Sequence, residues 1–308
     1  MDIHRRTVIK AGLAFGATML LPQGGQPAQA QPLIQKKIPS SGESIPIIGI
    51  GTARRYEEVK TDAEKTPLRE TIRQFQASGA KVIDSSPSYG TAEAVVGELA
   101  AGLKIRDSLF LATKVSLRNV GREEGVAQIE QSFKRLRTNK IDLIAVHNLR
   151  DTDTQLRTLR EMKQAGRVRY VGITTSFDNQ YAEFEQVMKK EDLDFIQVDY
   201  ALDNRDAGDR IIPLAGERGA AVMINLPFGR GRLFKAVQGK KLPEWASEFD
   251  CQSWPQFFLK YIVSHPAITC AVPGTARPEY VVDNLSAARG RLPDGATRRK
   301  MEQFIDNV

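Results

Sequence analysis

The chain has 308 residues, 41% hydrophobic and 26% charged, which excludes a disordered tail, a collagen-like repeat and a small disulfide scaffold. Its formal net charge of +7 comes from scattered Lys and Arg that form no stripe able to track phosphates, so nucleic acid is not an expected partner. Two cysteines, Cys251 and Cys270, lie in no zinc-type cluster, and no metal is expected.

Residues 1–30 read as an export leader. A basic start containing Arg5, Arg6 and Lys10 precedes an apolar stretch over 11–21, which is shorter than the roughly 20 residues a membrane span needs. Ala28-Gln29-Ala30 supplies a small-x-small cut site, so cleavage is expected after Ala30 and no stable membrane anchor remains. The run Arg5-Arg6-Thr7-Val8-Ile9-Lys10 resembles the twin-arginine (Tat) signal, which implies the twin-arginine translocase as a transient partner and a periplasmic destination.

From residue 31 to 308 one domain is expected, because short apolar runs alternate with amphipathic segments without a break in composition. Strands are predicted over 45–50, 81–84, 109–114, 141–147, 168–174, 195–200, 220–225 and 269–272. Helices are predicted over 67–78, 92–102, 121–137, 154–165, 179–189, 207–217, 254–263 and 278–288. Eight such units in about 250 residues is the arithmetic of an α/β fold of the (β/α)8 TIM-barrel type. A last helix over 293–307 is expected across one barrel opening.

Chemistry in such a barrel sits at the C-terminal ends of the strands. The second strand ends at Asp84, with Tyr89 in the loop beyond, the third at Lys114 and the fourth at His147. Taken singly, each has a structural alternative: a helix cap, a packed ring, a core imidazole. Adjacent strands would bring all four to one side of the mouth. A buried lysine beside a tyrosine is expected to lower the phenol pKa, with a carboxylate holding the lysine charged. Together with an imidazole to orient an oxygen, the group suits proton delivery to a carbonyl.

The run Val82-Ile83-Asp84-Ser85-Ser86-Pro87-Ser88-Tyr89-Gly90 resembles the aldo-keto reductase signature, in which Asp and Tyr stand five apart. Lys114 and His147 complete its tetrad in order, and Ile48-Gly49-Ile50-Gly51-Thr52 and Val272-Pro273-Gly274-Thr275 frame it. The resemblance implies NAD(P)H-dependent reduction of a small-molecule aldehyde or ketone, with Tyr89 as general acid and Asp84, Lys114 and His147 as its catalytic partners. It also implies cofactor contacts from Thr52, Gln197, Asn225, Gly274, Thr275, Asp283 and Asn284. Arg230 and Arg232, in the long loop after the seventh strand, either close over the pyrophosphate or belong to a solvated basic loop. Thr174 and Thr175 replace the family's Ser-Asn pair and retain hydroxyls for the nicotinamide amide. Asn225 stands where a stacking aromatic is common. Arg277 substitutes for the basic residues that many members aim at the 2'-phosphate, so NADP(H) is expected over NAD(H). An alternative reading keeps the barrel and its nucleotide in an exported binding or sensor protein with little turnover. The two cysteines are expected as separate thiols.

Overall fold

Runs such as Leu143-Ile144-Ala145-Val146 have no polar face, so a strand made of them must be covered on both sides. The computed structural model describes residues 31–117 and 121–308. Its main sheet consists of β3 (Ile50–Gly51), β4 (Val82–Asp84), β5 (Phe110–Val115), β6 (Ile141–His147), β7 (Val168–Thr174), β8 (Phe195–Asp199), β9 (Ala221–Asn225) and β10 (Ile268–Ala271). All pair in parallel with their neighbours in chain order. Backbone bonds from Gly49 to Ala271 and from Gly51 to Pro273 join the first strand to the last. The sheet is thereby curled into the expected (β/α)8 barrel. The expected leader over residues 1–30, with Arg5, Arg6 and the cut after Ala30, lies outside the described residues.

The helices that follow the barrel strands are α1 (Asp62–Ala77), α2 (Ala92–Gly102), α3 (Gly121–Arg135), α4 (Thr152–Gln164), α5 (Tyr181–Lys190), α6 (Ile211–Glu217), α8 (Trp254–Val263) and, after the last strand, α9 (Pro278–Ser286). A short α7 (Arg232–Ala236) lies in the loop after β9, and α10 (Gly295–Asp306) follows the last unit. No described helix is long and apolar enough to cross a membrane.

Three expectations are corrected. The first predicted strand, over 45–50, is two pieces. Before the barrel strand β3, an antiparallel hairpin of β1 (Gln35–Lys37) and β2 (Ser44–Pro46) forms, and Pro46 offers no amide with which to extend that ladder. Ile38 and Ile45 of the hairpin sink into the barrel interior with Val82, Phe110, Leu143, Tyr170 and Phe195. The first helix begins at Asp62, not Pro67, because Thr61 and Glu64 form a reciprocal capping box that starts it earlier and leaves Pro67 inside. The last helix does not cross a barrel opening. Phe304 stacks with Trp254, Glu302 accepts a hydrogen bond from Tyr261, and Arg298 donates to Ser264, so α10 lies along α8 on the outer wall.

Cys251 and Cys270 are separate buried thiols. Cys270 belongs to the barrel interior and Cys251 to the layer between barrel and helices.

Helix α2 reaches α3 through Gly97, where an added Cβ would lie 2.1 Å from the Arg135 carbonyl oxygen. Beside this approach the buried Glu93 carboxylate accepts hydrogen bonds from Thr113, Ser132 and Arg135. Gly97→Ala therefore reverses the usual helix preference for alanine: a loss of about 1–3 kcal/mol in denaturant unfolding is expected, where propensity alone gives a gain of about 1 kcal/mol.

Candidate active site

Along the barrel strands alternate side chains point inward, and on β5, β6 and β9 the inward series starts apolar and finishes polar. On β5 it reads Phe110, Ala112, Lys114, on β6 Leu143, Ala145, His147, and on β9 Ala221, Met223, Asn225. The last inward positions thus form one polar layer at the C-terminal mouth. Asp84, Lys114, His147, Thr174 and Asn225 line a cavity of about 380 Å³ there, together with Tyr89.

Lys114 is 2% exposed and Asp84 6%. The ammonium donates to both Asp84 oxygens, at 2.8 and 2.9 Å, and to the Ser85 carbonyl at 2.8 Å. Burial is the largest single influence and works against that charge, but Asp84 together with Tyr89 and Glu93 outweighs it and holds the Lys114 pKa above its ordinary value.

Tyr89 enters from the loop after β4. Gly90 behind it has φ +50°, and an added Cβ there would lie 2.2 Å from the Glu57 carbonyl oxygen, so glycine is required for the loops after β3 and β4 to close on each other. The Thr91 amide donates to that same carbonyl at 2.9 Å. The Lys114 Nζ stands 5.3 Å from the Tyr89 ring centroid.

The expected lowering of the Tyr89 pKa is corrected. Burial pushes the phenol up more than Lys114 pulls it down, so Tyr89 stands as a protonated acid. His147 meets the Tyr89 ring edge-on, with centroids 6.0 Å apart. Burial, Lys114 and Arg150 together depress the imidazole to about 3, so it is neutral across the ordinary range.

The residues expected around a nicotinamide cofactor divide into two groups. The Thr174 hydroxyl donates to Gln197 Oε1 at 3.0 Å, while the buried Gln197 Nε2 has no partner; the buried Asn225 Oδ1 also lacks one. An orphaned donor in the middle of β8 and an orphaned acceptor at the end of neighbouring β9 complement a primary carboxamide, so these residues fit the nicotinamide end of the cofactor. Phe228 and Phe234, rings 5.0 Å apart, supply aromatic surface on the cavity wall. Beyond them a groove of about 430 Å³ continues past Gly274 to Arg277, Asp283 and Asn284, with Arg55 bordering both spaces. Arg230 lines the cavity in a left-handed conformation.

Other expected residues are engaged in the fold itself. Thr52 is buried and bonded to the Asp84 carbonyl and the Ser85 hydroxyl. The Thr175 hydroxyl donates to Gln180, and Arg232 donates to Asp203. Asp283 lines the groove but accepts bonds from Ser253 and Gln256, while Asn284 donates to the buried Thr275 hydroxyl. Sequence reasoning missed Arg55, Phe228 and Phe234 as lining residues. Arg55 and Phe228 lie in loops and Phe234 in the short α7, where no strand periodicity signals direction.

A model of the aldo/keto reductase family matches residues 47–299. The chain belongs to this family. It is 31% identical over 200 residues to the aldo-keto reductase YhdN of Bacillus subtilis, a match covering 61% of this chain and 58% of that relative. It is 27% identical over 265 residues to the methylglyoxal reductase YeaE of Escherichia coli, covering 84% and 91% of the two chains. An aldo/keto reductase from Klebsiella pneumoniae, solved in complex with NADP and acetate, shares the fold with a TM-score of 0.73 at 23% identity, over 86% of this chain and 93% of that one. A glycerol dehydrogenase from Gluconobacter oxydans does so with a TM-score of 0.72 at 19% identity, over 89% and 94%. Aldo/keto reductases are oxidoreductases that use NAD(P)H, and the polar layer described above is where this barrel gathers its ionisable groups.

His147 and His265 are held at about 3 and about 4, and an unfolded imidazole titrates near 6.5. Between those values the unfolded chain binds more protons than the folded one, so stability falls as pH drops. From pH 6.5 toward 5, the well-buried His147 should add up to about 1.4 kcal/mol of loss per pH unit, and the more exposed His265, screened by solvent, less than that. Denaturant titrations of His147→Gln across this window should show the loss of more than half of the wild-type contribution from histidine.

Proposed function

We propose that the chain is an exported reductase of small aldehydes or ketones that uses NADP(H) in preference to NAD(H). The observation that carries this reading is the buried Lys114–Asp84 pair beneath a protonated Tyr89, with a neutral His147 at the edge of the tyrosine ring. When bound, the nicotinamide supplies the hydride that the carbonyl carbon accepts. Tyr89 donates its phenolic proton to the carbonyl oxygen, and Lys114 stabilises the phenolate left behind. Asp84 keeps the ammonium charged. His147, being neutral, orients the oxygen by a hydrogen bond and leaves the proton transfer to Tyr89. Gln197 and Asn225 would hold the carboxamide, Arg230 and Arg55 would face the phosphates, and Arg277 would meet the 2'-phosphate that favours NADP(H).

The leader supports export of the folded chain by the twin-arginine translocase, with the signal removed after Ala30 and the barrel released into the periplasm.

Methylglyoxal is the first carbonyl to try, since the relative YeaE is named for its reduction. With the purified mature chain, Tyr89→Phe should lower kcat by about 10²-fold or more while the Kd for NADPH stays close to wild type. Full activity in that variant would overturn the role of Tyr89. Tight NADPH binding without turnover of any carbonyl by the wild type would favour the sensor reading instead.

In cell fractionation, Arg5→Lys combined with Arg6→Lys should leave an unprocessed chain in the cytoplasm. Normal processing and release of this variant would overturn the export route.

A further inference from the structure

We propose that Ser116 and Arg150 fix the tautomer of His147, making Nδ1 the acceptor and leaving the ring proton on Nε2. The catalytic meaning of this arrangement rests on the reductase reading above. Its structural content does not.

Ser116 lies just beyond β5 and is 8% exposed. Its Oγ is 3.0 Å from His147 Nδ1 and 3.1 Å from Arg150 Nη1, and the same guanidinium nitrogen donates to the Ser116 carbonyl at 3.0 Å. A guanidinium only donates hydrogen bonds, so the hydroxyl oxygen turns its lone pairs to Arg150 and its proton away. Among the described residues, Nδ1 is the one acceptor within reach of that proton. Ser86, 3.4 Å from Nδ1, is a weaker second hydroxyl, already bonded to the Ser88 amide and hydroxyl. With Nδ1 accepting, the proton of the neutral ring sits on Nε2, the edge that makes no hydrogen bond among the described residues. His147 lines the catalytic cavity, so this edge is free to donate to a carbonyl oxygen.

The backbone after His147 supports the same assignment. Asn148, Leu149 and Asp151 all adopt positive φ, at 54°, 52° and 51°. Three non-glycine residues in the left-handed region within four positions are unfavourable by themselves. They persist because the surroundings hold them: the Asn148 amide donates to Thr174, its carbonyl accepts from Gln180, and Leu149 is buried. The tight turn they make carries Arg150 back toward the strand end, where it meets Ser116. The charged and titratable groups facing the ring are Lys114 from β5, with Asp84 of β4 behind it, Tyr89 from the loop after β4, and Arg150. The two cations disfavour an imidazolium, so the ring chooses between neutral tautomers, and the Ser116 hydroxyl makes that choice.

The test is ¹⁵N NMR of the histidine-labelled full chain, in which only three histidines contribute and His147→Gln identifies the signal. The wild type should show a neutral ring protonated on Nε2 between about pH 5 and 8, the range spanning an ordinary imidazole titration. Ser116→Ala should give a mixture of the two neutral tautomers, with kcat/KM for the carbonyl down about fivefold, the worth of one neutral hydrogen bond, and the Kd for NADPH unchanged. Ser116→Thr, which keeps the hydroxyl, should restore both the signal and the rate. Arg150→Gln keeps donors but loses the charge, and the imidazole should then titrate at a higher pH. Thermal melts establish that each variant is folded.

A wild-type ring protonated on Nδ1, or a Ser116→Ala spectrum identical to that of the wild type, would overturn the proposal even in an active enzyme. A changed tautomer would uphold it even if no carbonyl were ever reduced, so failure of this inference and failure of the reductase reading are distinguishable.

Discussion

A lysine that is 2% exposed can remain charged only if its charge is met at bonding distance, and the upper half of this barrel is arranged around that requirement. Asp84 meets Lys114 with both carboxylate oxygens, and the Ser85 carbonyl accepts a third hydrogen bond from the ammonium. Removing one member of such a buried pair leaves the other uncompensated, typically at about 3–5 kcal/mol. The pair therefore ties β4 to β5 at the mouth and sets the electrostatics of everything above it. It supports Tyr89 from below and helps to keep His147 neutral. Burial is the main cause of both pKa shifts in that cavity, raising the Tyr89 phenol and lowering the His147 imidazole, so each group is held in its neutral form.

The rest of the barrel isolates that pair from water. Phe110, Tyr170 and Phe195 pack in the layers beneath it, with ring centroids 5.5–6.0 Å apart. The hairpin of β1 and β2 closes the opposite end. Ile38 and Ile45 fill the interior there, and Glu43 accepts the Tyr170 hydroxyl at 2.8 Å. A barrel plugged at one end and polar at the other admits a reactant from one side only. The loops after β3 and β9 form the walls of that side: Arg55 comes from the first, and Arg230, Phe228 and Phe234 come from the second.

Much of this was legible from residue order. The strand ends at Asp84, Lys114 and His147 could be read because a strand has period two and a parallel barrel presents its C-terminal ends together. What could not be read was direction within loops. Thr52 and Thr175 carry plausible ligand groups, yet both hydroxyls turn into the fold. Asp283, placed by resemblance against a nucleotide, spends its carboxylate on the Ser253 hydroxyl and the Gln256 amide near the start of α8. The sign of the Tyr89 shift was misjudged for a related reason. The lysine was visible in the sequence, but the burial that overrides it was not.

The sequence by itself determined the barrel and the identity of the four groups at its mouth, because covered strands and amphipathic helices impose periodicities that survive any detail of packing. Tertiary structure alone decided which polar groups face the cavity and in what protonation state they stand. Burial and hydrogen-bond partners come from residues distant in the chain: Arg150 reaches Ser116 across 34 positions, and Ser116 reaches His147 across 31. Such juxtapositions depend on strand register and on the left-handed turn after His147, and no local pattern of residues encodes either one.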